Sequence, residues 1–124
     1  MFRIHSTNDG RVPPTEKLPA GAITPKVGMA LVVTSGKLAV AGATTKPTYI
    51  SMCERESAVA SGEEIPVIRV EDGMIFGAPC TGDASTLVIG SKVTTEAGTS
   101  VTTTTTSGVA EVVGVSGDEV LVRF

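Results

Sequence analysis

The side chains first weighed for nucleophile, base or soft-metal chemistry are the single histidine, His5, and the two cysteines, Cys53 and Cys80. Acyl transfer needs a nucleophile, a base and an orienting group within hydrogen-bond reach of one another. His5 is the only histidine, and it precedes every segment patterned to form a rigid scaffold. Either cysteine would have to meet it from far along the chain, and no Gly-x-Ser-x-Gly elbow occurs. A free cysteine most often serves as a small buried hydrophobe, which is the role expected for both. A structural zinc site wants about four Cys or His ligands at close spacing, and the three here are scattered. Gly-x-Gly-x-x-Gly and phosphate-loop patterns are also missing. The reading assigns no catalytic, cofactor-binding or metal-ligating residue, and no enzyme is expected.

The acidic pairs Glu54/Glu56, Glu63-Glu64, Glu71-Asp72 and Asp118-Glu119 offer carboxylates for a glycosidase or a cation site. Glycosidases place two carboxylates across a cleft, and sugar faces stack on nearby aromatic rings. This chain has no Trp, one Tyr (Tyr49) and three Phe (Phe2, Phe76, Phe124). Each acidic pair adjoins a turn or the start of a strand, so solvated turns are the reading adopted. The same aromatic shortage leaves little to wall a small-molecule pocket.

Ten Lys and Arg against thirteen Asp and Glu give the 124-residue chain a formal charge of −3, so no basic patch for nucleic acid is expected. Apolar runs such as Leu31-Val32-Val33 are too short to span a bilayer, and no signal peptide or membrane partner is expected. Two cysteines are too few for a disulfide framework.

The elements that would position these residues are strands. Thr and Val are β-branched and favour extended backbone, while 14 glycines supply turns. Residues 1–22 differ from the rest. Asn8-Asp9-Gly10, Pro13-Pro14 and Leu18-Pro19-Ala20-Gly21 break any periodicity there. This stretch reads as an extended N-terminal arm that docks through Phe2, Ile4, Val12 and Leu18, stiffened by Pro13 and Pro14. Residues 23–124 read as one all-β domain, a small antiparallel barrel or sandwich. Strands are expected over Val27–Val33, Lys37–Val40, Thr48–Cys53, Glu64–Val70 and Met74–Gly77, then Lys92–Thr95, Ser100–Val115 with a break at Ser107-Gly108, and Glu119–Phe124. Pro66 should begin its strand or lie on an edge, because it has no N–H. Glu71-Asp72-Gly73 is the strongest hairpin signal. A short helical turn is allowed near Asp83–Thr86 or Glu54–Ala60.

A weak internal echo runs through the chain. Gly28 lies eight residues before Gly36, and Gly90 lies eight before Gly98. Each half then ends in an acidic turn and a similar strand, Glu63-Glu64-Ile65-Pro66-Val67 and Asp118-Glu119-Val120-Leu121-Val122. The echo predicts two similar β-units packed into one small barrel.

Thr24-Pro25-Lys26-Val27-Gly28-Met29-Ala30-Leu31, Gly36-Lys37-Leu38 and Lys46-Pro47-Thr48-Tyr49-Ile50-Ser51-Met52 follow one another in an order and texture that resembles the head decoration proteins of tailed bacteriophages. The lambda-type proteins are the best-known branch of that group. The resemblance extends through Ala58–Glu64 and Ile65–Phe76, covering roughly residues 23–77. It implies a β-tulip-like fold and a structural virion protein assembled in the host cytoplasm. Such a protein binds the outer surface of the capsid and stabilises the lattice of the major capsid protein, some members as trimers and others as dimers or monomers. The interface candidates under this reading are Phe2, Ile4, Val12, Pro13, Pro14 and Leu18, with no cofactor and no small-molecule substrate. The longer C-terminal half and the Thr102–Thr106 run depart from the lambda-type pattern. A β-domain of a phage tail or baseplate, or a carbohydrate-binding or adhesin module, are the alternative readings.

Overall fold

β-Branched segments punctuated by glycine turns make a molecule of strands, and the computed structural model, which describes residues 1–124, contains no α-helix. In chain order the strands are β1 (Arg3–Ser6), β2 (Glu16–Pro19), β3 (Ala30–Thr34), β4 (Lys37–Val40), β5 (Tyr49–Ser51), β6 (Glu64–Arg69) and β7 (Ile75–Thr81). A single 3-10 turn at Ala84–Thr86, capped by the Asp83 carboxylate on the Ser85 N–H, separates these from the rest. Then come β8 (Lys92–Val93), β9 (Thr95–Glu96), β10 (Ser100–Thr102), β11 (Ala110–Ser116) and β12 (Glu119–Arg123).

The strands form two sheets. One runs β2-β6-β5-β3-β4, and the other runs β8-β11-β12-β7-β10-β9 with β1 added against β7. In the second sheet β8 and β9 are halves of one bent strand hinged at Thr94. The first half pairs with β11 and the second with β10, so the sheet nearly closes into a barrel. Thr94 secures the closure, donating its N–H to Thr104 and accepting from the Thr102 N–H at 3.0 and 2.9 Å. The first sheet curls likewise until Ala20 meets Leu38 in a parallel bridge.

The two sheets share one topology. Taking β8 and β9 together, the ring β7-β12-β11-β8/β9-β10 repeats the ring β2-β6-β5-β3-β4 strand for strand in chain order. The neighbouring pairs are antiparallel in both, and the closing contact, β7 with β10 or Ala20 with Leu38, is parallel in both. The four echoed glycines, Gly28, Gly36, Gly90 and Gly98, all have positive φ, between 69° and 95°. The echo therefore marks two β-units, each with its own ring, where one shared barrel was expected.

Side-chain alternation divides the interior. Ile65 and Val67 on β6 point into the first ring with Leu31 and Leu38. Ile68 points the other way and joins Ile50 and Ala30 in a larger core shared with Phe76, Val93, Val112 and Val120 of the second unit. Strand β6 thus buries side chains on both of its faces. Backbone bonds stitch the units together, from the Ala30 N–H to Gly98 at 2.8 Å and from the Thr95 N–H to Ala43 at 3.1 Å.

Three local expectations are corrected. The Glu71-Asp72-Gly73 turn forms, with Gly73 at φ 83°, but β6 and β7 do not pair as a hairpin. Both edges of β6 are taken by β2 and β5, so the chain crosses to the other sheet, and the Asn8 side chain donates to the Asp72 carbonyl at the crossover. Pro66 lies inside β6, a central strand. Its carbonyl accepts from the Met52 N–H at 3.0 Å, beyond Ser51 where β5 ends, so its missing donor falls where the ladder has stopped. The strand expected from Val27 starts only at Ala30, because Gly28 at φ 88° turns the chain first.

Candidate functional site

The six interface candidates of the N-terminal segment fall in three places. Phe2 is 3% exposed, and its N–H donates to Gly28 at 2.9 Å. The two backbones meet so closely that a Cβ on Gly28 would lie 2.6 Å from the Phe2 carbonyl oxygen. The Phe2 ring meets Phe124 edge to face at 5.5 Å, and Phe124 lies 5.8 Å from Phe76. All three phenylalanines therefore form one cluster. Ile4, half-buried on β1, packs against the same core. Leu18, on β2, packs against the smaller core, and Pro13 is buried while Val12 and Pro14 are exposed. The expected arm is extended, but its partner is this chain's own domain: β1 pairs with β7, β2 pairs with β6, and Ala20 is buried.

Phe2 and Ile4 are brought together in an apolar hollow of about 270 Å³, rimmed by the exposed Met1, Val27 and Met52. Ile4 also lines a neighbouring hollow of about 370 Å³ with His5 and Val12. An apolar surface thus follows β1. Its rim residues are not foreseen in the sequence, where Val27 reads as opening a strand and Met52 as lying within one. They fall just outside β3 and β5, where alternation no longer turns them inward. The hollow's charged groups lie at its edge. Arg3 pairs with Glu119, whose carboxylate occupies the space a side chain on Gly77 would need. Burial pulls the Met1 ammonium below its ordinary range, partly opposed by the Glu119 charge. A second exposed apolar pair, Val88 and Ile89, projects from the turn before β8 at 65% and 76% exposure.

Free β2 backbone is a poor template for a partner strand. Because the Pro66 carbonyl points toward β5, Glu16 and Leu18 are the residues bonded to β6; Lys17 faces outward, and Pro19 is turned toward β4 beside the Ala20–Leu38 bridge. Proline has no N–H to offer, and an outward lysine discourages edge pairing.

The residues singled out for chemistry do not meet. Cys53 is buried in the smaller core, and both cysteines are free. Cys80 lines a hollow with Asp83 and Asp118, whereas His5 lines the one beside Ile4. Burial, with the nearby Asp83 charge, pushes the Cys80 thiol above its ordinary value, away from the reactive thiolate. No group of three or more His, Cys, Asp or Glu is gathered where it could hold a metal ion.

No protein-family model, curated protein or solved structure matches the chain.

Proposed function

We propose that the chain is a structural head decoration protein of a tailed bacteriophage, bound to the outer surface of the capsid and stabilising the major capsid protein lattice. The observation that carries the reading is the apolar surface along β1, where Met1, Val27 and Met52 rim a hollow floored by Phe2 and Ile4. Exposed apolar surface around a formed depression is the usual mark of a protein contact. Two β-rings sharing a core give a stiff body on which to mount it. The sequence resemblance over residues 23–77 supplies the kind of partner. Relative to the arm first expected, the mode of binding changes. A preformed apolar face docks with little ordering cost, whereas a free arm would lose roughly 1–2 kcal/mol of backbone entropy per residue fixed.

The test is co-sedimentation of the purified protein with expanded empty shells of the phage that encodes it. Saturable binding at a copy number comparable to the capsid protein is expected, and Met52→Asp or Val27→Asp should lower occupancy while leaving the fold intact. Recovery with tails, or no recovery with shells, would overturn the reading.

A further inference from the structure

Two further hollows, of about 400 and 570 Å³, meet at Lys46, which lines both. Together they form a groove that crosses from the first β-unit to the second. Four cations line it, Lys46, Arg69, Lys92 and Arg123, with the carboxylate of Glu111 among them and that of Glu16 at its edge against Arg69. That is four of the ten Lys and Arg and two of the thirteen acids of a chain whose formal charge is −3. The two arginines are held by carboxylates. Arg123 grips Glu111 with two bonds of 3.2 and 3.3 Å, and Arg69 reaches Glu16 at 3.5 Å while lying over the Tyr49 ring. Lys46 and Lys92 form no salt bridge, although Lys92 stands opposite Glu111 across the β8–β11 pair. Between the cations the floor is apolar, made by Val32, Val33, Val70 and Val109.

We propose that this groove docks an extended segment of a partner protein that carries carboxylates between apolar side chains. Lys46, together with Lys92 beside a Glu111 already held by Arg123, supplies the attraction and the specificity for acid. The valine floor takes the alternate side chains. Nucleic acid fits less well, because Glu16 and Glu111 stand among the cations and Tyr49 is the only ring for stacking bases beside the valines. The proposal concerns the chemistry of a protein partner and holds whether or not that partner is a phage shell.

The experiment titrates the ¹⁵N-labelled full chain with octapeptides that alternate valine with glutamate, glutamine or lysine, and with octathymidylate. The glutamate peptide should shift the amides of Lys46, Thr48, Lys92 and Val109. The doubly substituted chain, Lys46→Glu with Lys92→Glu, should keep its remaining amide spectrum and bind that peptide roughly tenfold or more weakly, as should the unsubstituted chain at high salt. Four results would overturn the proposal: no shift at the groove, equal binding of the glutamine peptide, octathymidylate binding as tightly, or peptide-independent broadening at the groove that reports a second copy. No arm uses a shell, so failure here and failure of shell binding are separate results.

Discussion

At the scale of single residues, the outcome turns on Phe2. The sequence marks it as an anchor, and it is one, but it anchors the chain to itself through Phe124, Phe76 and the Gly28 carbonyl. Phe2→Ala would empty a fully packed aromatic site and should lower stability by about 3–5 kcal/mol in urea denaturation. Phe2→Leu should recover more than half of that loss. A ΔΔG within experimental error for Phe2→Ala would place the ring outside the core. The Arg123–Glu111 pair makes a different prediction. The Arg123 bonds hold the Glu111 carboxyl below its ordinary value of 4.5. Its stabilisation is therefore complete above that value and is lost as pH falls through the depressed folded value. Arg123→Gln should lower the melting temperature slightly at neutral pH and converge with the parent chain in strong acid. Parallel melting curves across the acid range would contradict it. The pair is surface-exposed, so the effect should be small and salt-sensitive.

At the scale of elements, most strands were legible because their signals are local. β-Branched runs and turn residues locate β4, β6 and β12 within a residue or two, and Ser35-Gly36 forms the two-residue turn of the β3–β4 hairpin with φ of 51° and 78°. What could not be read was which strands pair. Glu71-Asp72-Gly73 has the chemistry of a hairpin, but the partners of β6 and β7 are set by distant strands that occupy their edges. The apolar surface along β1 was half legible for a related reason. Phe2 and Ile4 could be seen as anchors, while Val27 and Met52 become exposed only because β3 and β5 stop short of them. The basic groove was illegible, since Lys46, Arg69, Lys92 and Arg123 lie on four separated stretches joined only by the fold. Turn chemistry also predicts a stabilising change. Ala97 has φ 53° in the turn between β9 and β10, a left-handed conformation that costs an alanine roughly 1–2 kcal/mol. Ala97→Gly should relieve most of it and, after glycine's own entropy cost, raise stability by up to about 1 kcal/mol. Unchanged or lowered stability in denaturant would show that the turn carries no such strain.

At the scale of the whole molecule, the duplicated rings raise the question of whether they unfold separately. The larger core answers it, because Ile50, Ile68 and Ala30 of the first unit pack there with residues of the second. The N-terminal segment reinforces this join. β1 belongs to the second sheet through β7, and β2 belongs to the first through β6, so one short stretch straps both units. A chain that begins at Ala22 would lose the Phe2 ring from the larger core. It would also lose the Ala20 bridge that closes the first ring, and Ile65 and Val67 would be left beside an open edge. The first loss alone is about 3–5 kcal/mol, and domains of ordinary size have only about 5–15 kcal/mol in all. Removal of β2 takes away a strand's hydrogen bonds and more buried surface besides. The truncated chain should therefore lose its tertiary structure as a whole, not merely its affinity for a partner. The dispersed amide spectrum of the full chain should collapse toward random-coil shifts. The full chain should unfold in one transition followed identically by near- and far-ultraviolet circular dichroism. A truncated chain with dispersed signals from both units would show that residues 1–21 are an accessory. Dispersed signals from the second unit alone would show that the rings are separate folding units, joined by Ile50 and Ile68 too weakly to unfold together.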